Sequence, residues 1–202
     1  DGSAQGLANS VEPVVEVHAA VANNGSGFAS NVVPGALWLG AGIAAFLIHV
    51  RVLPRKAKRF SRPAQMIGKL LIPAAVVLLQ AALVLGTLMV VLKIKILNPW
   101  PMALTLAVAA LTFLVIVYAL TRAFGDAGKA LAMVFLAVQL SSSGGILPVE
   151  LSGGWFANLS PWLPLTWVVR AIKACMFGAY DGAWLTPLGW VTLAGLSVAA
   201  LA

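Results

Sequence analysis

The sequence predicts an all-α protein that crosses a membrane several times, and three observations lead to that fold class. Of its 202 residues, 61% are hydrophobic and 9% are charged, so a globule of this size cannot hide its apolar surface from water. The chain contains five apolar stretches of about the length that a membrane-spanning helix needs. Seven of its thirteen Lys and Arg residues lie within 51–69, a clustering typical of a topology signal and not of a nucleic-acid surface.

The apolar stretches predict the order of elements along the chain. Residues 1–31 are polar, with a strand-like "VVEVHA" and a turn-like "NNGSG", so we expect the foot of an extracytoplasmic domain. The sequence begins without Met or a signal peptide and its last apolar run reaches Ala202, so we expect a fragment of a longer protein. A membrane domain at 32–202 is predicted, with spans at about 32–50, 70–92, 102–120, 130–147 and 185–202.

Residues 148–184 are predicted to form a re-entrant helical hairpin instead of a further span. A spanning helix from Pro164 to Tyr180 would place two cations at the bilayer centre, at a cost of ~2.5–3.5 kcal/mol each. The runs "SSSGG" and "LSGG" are tolerated at membrane depth only where protein or a water-filled cavity covers them. The residues assigned to this hairpin are Gly144, Gly145, Pro148, Glu150, Pro164, Arg170 and Lys173.

The distribution of charge predicts the orientation. Five spans and a re-entrant hairpin place nine Lys and Arg and one acidic residue on one side, against four Lys and Arg and five acidic residues on the other. The basic side is expected to be cytoplasmic. Residues 1–31 and 148–184 are then extracytoplasmic, and most of the seven tryptophans, Trp38 among them, are interpreted as interface anchors.

Polar side chains within the predicted spans are candidates either for a transport pathway or for helix packing. An amide or hydroxyl at membrane depth must find a partner, and bonding to a neighbouring helix explains these residues more simply than contact with a substrate. An intramembrane serine protease is disfavoured because His18 and His49 are not at the depth of the serines. The residues concerned are Gln80, Gln139, Ser141, Ser142 and Ser143.

The basic link between the first two spans has two compatible interpretations. In the simpler interpretation the basic residues set the membrane topology and attract anionic lipid. In the more specific one they dock a cytoplasmic ATPase. The sequence "FGDAGKA" at 124–130 lacks the Gly and Ser/Thr positions of a phosphate-binding loop and follows a span, so any ATPase must be another chain. The candidate coupling residues are Arg55, Lys56, Lys58, Arg59 and Arg62.

Two segments of the sequence carry a family resemblance. "VANNGSGFASNVVPGALWLGA" before the first span and "QLSSSGGILPVELSGGWFANLSPWLPLTWVVRAIK" after the fourth resemble the C-terminal membrane region of the YhgE/Pip (phage infection protein) family, among the ABC-2 type transporter membrane domains. The resemblance covers roughly residues 10–202. It implies a further N-terminal span, a large extracytoplasmic domain and a location in the bacterial cytoplasmic membrane. It also implies that 148–184 corresponds to the external re-entrant helices of ABC-2 folds.

Two functions therefore remain open. The first is the membrane domain of an ABC-2-like export or secretion-associated protein, working as a homodimer with a separate ATPase. The second is a membrane anchor, receptor or scaffold for a large extracytoplasmic domain, used in phage adsorption or secretion-system assembly without ATP coupling. The sequence shows no convergent acid, base or metal set, so we expect no enzyme activity, cofactor, metal or nucleic-acid partner. The single cysteine, Cys175, is interpreted as a buried apolar residue.

Overall fold

A computed structural model describes residues 24–46, 61–143 and 154–201. The described residues form an all-α arrangement of six longer helices and one short one, with no strand among them. The predicted strand "VVEVHA" lies outside the described residues. The helices are α1 (Asn24–Phe46), α2 (Arg62–Gly86), α3 (Pro99–Phe124), α4 (Asp126–Ser142), α5 (Gly154–Leu159), α6 (Pro164–Phe177) and α7 (Leu185–Leu201).

Three of these helices are long and apolar enough to cross a membrane by length and composition: Gly25–Ala45, Ile67–Val91 and Pro99–Phe124. Helix α7 is a shorter apolar helix, and α4 is described to its end at Ser142, within the predicted span 130–147. The prediction of an all-α polytopic membrane protein is confirmed.

Helix α1 begins at Asn24, eight residues before the start of the predicted first span. The turn predicted at "NNGSG" is therefore wrong for its described part, because residues 24–27 form the first turn of the helix. Local Gly and Asn content favoured a turn, but the buried Ser26 and Ser30 show that tertiary packing continues through this segment. The Ser30 hydroxyl donates to the carbonyl of Gly27 at 2.7 Å, so its polar group is satisfied within the helix.

Helix α3 is the centre of the bundle, and it packs against α1, α2, α4, α6 and α7. In the apolar segment of α3, 56% is buried inside the protein, whereas only 17% of the apolar segment of α2 is buried. Both helices are apolar on all sides, which is typical of a helix that faces either protein or lipid all round. Helix α2 therefore lies at the periphery with most of its surface available to lipid, and it ends in a π-helical turn at Thr87–Val91.

Trp38 lies in the core and not at an interface, so its interpretation as an anchor was wrong. Its side chain is fully buried, and its ring packs edge-to-face against Phe113 and Phe135 at centroid distances of 5.0 Å and 5.5 Å. Its indole N–H donates to the carbonyl of Ala132 at 3.1 Å. The ring thus joins α1, α3 and α4, and the buried indole N–H has the partner that it needs.

The "FGDAGKA" segment is a tight turn between two helices. Gly125 adopts a φ of 66°, and a Cβ at Gly128 would overlap the backbone of Leu120, so α3 and α4 approach very closely here. The Lys129 ammonium pairs with the Asp126 carboxylate at 3.0 Å in the first turn of α4. The positive φ thus explains Gly125, and the close approach of the two helices explains Gly128.

Candidate functional site

Helix α6 is the best candidate for a functional element because it is both short and buried. Its 14 residues span about 21 Å at a rise of about 1.5 Å per residue, less than the ~30 Å core of a bilayer. It starts with Pro164 at its first turn, and Gly178 in a left-handed conformation (φ 69°) ends it. Ten of its residues are buried, and it packs against α1, α3, α4 and α7.

The C-terminal end of α6 is fixed by backbone hydrogen bonds. The N–H groups of Leu97 and Asn98 donate to the carbonyls of Met176 and Cys175 at 3.3 Å and 3.0 Å. These bonds satisfy two of the last carbonyls of the helix. They also place this end of α6 beside the start of α3, at the end of the bundle where α7 begins.

The N-terminal end of α6 is fixed by a side chain. The carboxamide oxygen of Gln139, on α4, accepts a hydrogen bond from the backbone N–H of Leu165 at 3.1 Å. That N–H belongs to the first turn, which has no partner within its own helix. Gln139 is fully buried, so the sequence candidate acts as a cap supplied by a neighbouring helix.

Three buried polar atoms lack a hydrogen-bond partner within the described ranges: the side-chain oxygen of Asn31, the amide nitrogen of Gln139 and the hydroxyl of Ser142. Gln139 and Ser142 are three residues apart and share one face of α4. Gly35 faces Leu140 and Gly42 faces Met133, so α1 and α4 are antiparallel and Asn31 lies toward the Ser142 end. We call Asn31, Gln139 and Ser142 the polar cluster.

Each unpaired buried group costs about 1–3 kcal/mol, so the polar cluster needs an explanation beyond packing. Ser141 and Ser143 need none, because their hydroxyls donate to the carbonyls of Ala137 and Leu140 at 3.0 Å and 3.3 Å. Sequence reasoning missed Asn31 because it assigned residues 1–31 to an external domain. The sequence signal for a polar residue inside the first helix was an Asn one turn before Pro34, next to apolar residues.

Gln80 makes a different kind of contact. Its amide nitrogen donates to the carbonyl of Ala36 at 2.9 Å, which joins α2 to α1. A Cβ at Gly40 would overlap the Gln80 carboxamide, so the absence of a side chain there makes room for it. Gln80 thus makes a hydrogen bond between two helices.

An aromatic group lies where α6 meets α7. The rings of Trp167 and Trp190 stack with a centroid distance of 5.8 Å, and the Arg170 guanidinium lies 4.9 Å from the Trp167 ring. The indole N–H of Trp167 donates to the carbonyl of Pro161 at 2.8 Å. Arg170 is exposed, whereas Lys173 is half-buried and burial lowers the pKa of its ammonium.

Comparison with known proteins assigns the family. Residues 15–202 match the family model described as "ABC-2 family transporter protein". The chain belongs to the ABC-2 transporter family. The "Uncharacterized protein YhgE" of Bacillus subtilis (strain 168) is 26% identical over 97 residues, which are 48% of this chain and 12% of that protein. The predicted resemblance is thereby confirmed. No solved structure shows a significant match.

Other predicted site residues of this ABC-2 membrane domain lie outside the described residues. Arg62 is the first residue of α2, and only its backbone is described. The remaining positions of the hairpin and of the basic link that the structure does not describe are Gly144, Gly145, Pro148, Glu150, Arg55, Lys56, Lys58 and Arg59.

Two contacts of the ABC-2 domain had not been predicted. The hydroxyl of Thr112 donates to the carbonyl of Val191 at 3.4 Å, and Gly195 leaves room for the Thr112 side chain, so α3 and α7 pack closely. The Thr105 hydroxyl lies 3.7 Å from the sulfur of Cys175. Burial raises the pKa of the Cys175 thiol, which is consistent with an inert core residue.

Proposed function

We propose that this chain is the membrane domain of an ABC-2-like export or secretion-associated protein of the phage infection protein type. In this proposal two copies form the transport path, and a separate cytoplasmic ATPase supplies the work. The observation that carries the proposal is the buried helix α6, capped by Gln139 beside buried polar atoms that have no hydrogen-bond partner among the described residues. Membership of the ABC-2 transporter family supports it.

The two ends of α6 suggest which part moves. Two backbone hydrogen bonds and the turn to α7 hold its C-terminal end, whereas the single hydrogen bond from Leu165 to Gln139 holds the first turn to α4. Separation of α6 from α4 would uncover the polar cluster while the other end stayed in place. A polar group in transit would then find free donors at Gln139 and Ser142.

The orientation and the location belong to the same proposal. The excess of Lys and Arg at 51–69 and 122–129 favours a cytoplasmic position for that end of the bundle. The segment before α1 and residues 148–184 would then lie toward the extracytoplasmic side of the cytoplasmic membrane of a bacterium. The basic link would face the cytoplasm, where Lys58 and Arg59 could meet acidic residues of the ATPase.

The test compares two pairs of cations in the full-length protein. We expect Lys58→Gln/Arg59→Gln to keep normal membrane abundance but to lose the ATPase on co-purification, because a partly desolvated charge pair is costly to break. Lys93→Gln/Lys95→Gln removes two charges from the exposed link before α3, and it is the matched control. Full recovery of the ATPase with the first variant, or no ATPase with the wild type, would contradict ATP coupling.

The second candidate is a receptor or scaffold without transport. It is favoured by the relative from Bacillus subtilis, which is several times longer than this chain, because the 97 matched residues are 48% of this chain and 12% of that protein. A similar length here would leave room for a domain much larger than the membrane domain. A stable homodimer that neither binds nor stimulates any ATPase, together with loss of phage adsorption or of secretion-system assembly on deletion, would support this candidate.

A further inference from the structure

The outward side of the α6–α7 contact carries a groove that the proposed transport function does not use. Its volume is ≈ 370 Å³. One wall is the turn that holds Pro161, Trp162 and Pro164, and the other wall is the face of α7 at positions 190, 193, 194 and 197. Trp162 and Trp190 are 84% and 51% exposed, so the groove opens away from the core.

The inside of the groove is apolar because its polar groups are already satisfied. The Ser197 hydroxyl donates to the carbonyl of Leu193 at 2.8 Å, and the Trp167 indole donates to Pro161. The α7 wall from Trp190 to Ser197 is about 10 Å long at a rise of about 1.5 Å per residue. Such a surface matches an acyl chain in chemistry and covers part of its length.

A fixed cation stands beside the groove. The Arg170 guanidinium lies over the Trp167 ring, which is held by its own hydrogen bond and by its stack on Trp190. Among the described residues, no carboxylate lies within ion-pair distance of Arg170. A guanidinium that is stacked on one face keeps its edge donors free, and these match phosphate oxygens in a two-point hydrogen bond.

We propose that this groove binds one anionic glycerophospholipid per chain, with its phosphate on Arg170 and an acyl chain between the α7 face and the Pro161–Pro164 turn. Charge complementarity selects the headgroup, and the apolar walls hold the chain. Tryptophans are enriched at the level where headgroups meet acyl chains, which is the depth that such a ligand requires. The proposal concerns lipid alone and is independent of transport.

The test is native mass spectrometry of the full-length protein, purified in detergent and titrated with phosphatidylglycerol or phosphatidylcholine of identical acyl chains. We expect one phosphatidylglycerol per chain to bind about tenfold more tightly than phosphatidylcholine, equivalent to about 1.4 kcal/mol. Arg170→Gln should remove this preference. Lys95→Gln, which removes an exposed cation from the link before α3, should preserve it and is the matched control.

A second variant tests the groove itself. Trp190→Leu removes the ring that supports Trp167, so binding of both lipids should weaken while the melting temperature shows that the protein is folded. Equal affinity of the wild type for both lipids would overturn the proposal, as would equal losses with Arg170→Gln and Lys95→Gln. It would also be overturned if Arg170→Gln changed the proportion of dimer and left lipid binding unchanged, because the groove would then hold a second copy of the chain.

Discussion

Two contacts made by glutamines in different parts of the bundle have opposite consequences. Between α1 and α2, Gln80 donates to the carbonyl of Ala36, which is already an acceptor within its own helix. Between α4 and α6, Gln139 accepts from Leu165, whose N–H has no partner within α6. Its own amide nitrogen has no partner in the part of the chain that the structure describes. The Gln80 contact adds a hydrogen bond to a helix whose backbone carbonyl already has a partner. The Gln139 contact supplies the acceptor that the first turn of α6 needs.

The comparison shows that the importance of a polar residue in an apolar span depends on whether its partner group has another hydrogen bond. Loss of Gln80 leaves no buried group without a bond, and loss of Gln139 leaves one. The comparison therefore predicts unequal costs for the same substitution at two sites.

Replacement of Gln139 is expected to have the largest effect on stability. Gln139→Leu keeps a similar volume but leaves the buried N–H of Leu165 without an acceptor, at a cost of about 3 kcal/mol, and it removes the amide nitrogen that has no partner among the described residues, a gain of about 1 kcal/mol. The free energy of unfolding should therefore fall by about 2 kcal/mol. Thermal unfolding in detergent, followed by circular dichroism, measures this change. Ser141→Ala on the same helix is the control, because Ser141 is exposed and bonds only within α4. Equal melting temperatures for the two variants would break the comparison.

Substitutions in the α1–α2 contact are expected to lower the free energy of unfolding by less, and two of them should act through the same hydrogen bond. Gln80→Leu should cost about 1 kcal/mol, and Gly40→Ala about the same, because the new methyl group displaces the Gln80 carboxamide. Since both changes remove one hydrogen bond, the double variant should cost less than the sum of the two. A double-mutant cycle on unfolding free energies measures the coupling. Strictly additive costs would show that Gly40 does not act through Gln80.

Removal of the Ser142 hydroxyl should be nearly neutral or stabilising. The hydroxyl is buried and has no partner within residues 24–46, 61–143 and 154–201, so Ser142→Ala should change the free energy of unfolding by ~0–1 kcal/mol in the favourable direction. If the polar cluster serves transport, export by the full-length protein should fall while stability does not. A loss of stability above that of Ser141→Ala would mean that the hydroxyl has a structural partner.

The last prediction concerns accessibility and involves no change in stability. Cys175 is fully buried and burial raises the pKa of its thiol, so an impermeant maleimide should not label it in the folded protein near neutral pH. In a Cys175→Ala background, cysteines at positions 24 and 162 should be labelled on intact cells, and a cysteine at position 59 only after lysis. Labelling of position 59 but not of position 24 on intact cells would reverse the proposed orientation.

Much of the fold follows from residue chemistry along the chain. Apolar stretches of the length of a bilayer predicted helices, since a backbone in lipid must satisfy its own hydrogen bonds. The cations at positions 170 and 173 predicted that 164–180 does not span, and α6 ends at Phe177 with 14 residues. The membrane environment and the family were likewise predictable from the sequence alone, because hydropathy and the order of motifs are properties of the chain itself.

Only the tertiary structure distinguished the polar residues from one another. Gln80 and Gln139 both lie in predicted apolar spans, yet Gly40 on another helix makes room for one and the open first turn of α6 holds the other. The sequence indicated an interface position for Trp38, whereas in the structure its ring packs against Phe113 and Phe135. Asn31 joined the polar cluster because α1 starts earlier than its composition indicated. The physical reason is common to all of these residues: burial and hydrogen-bond satisfaction depend on partners that are distant in sequence and meet only when the helices pack.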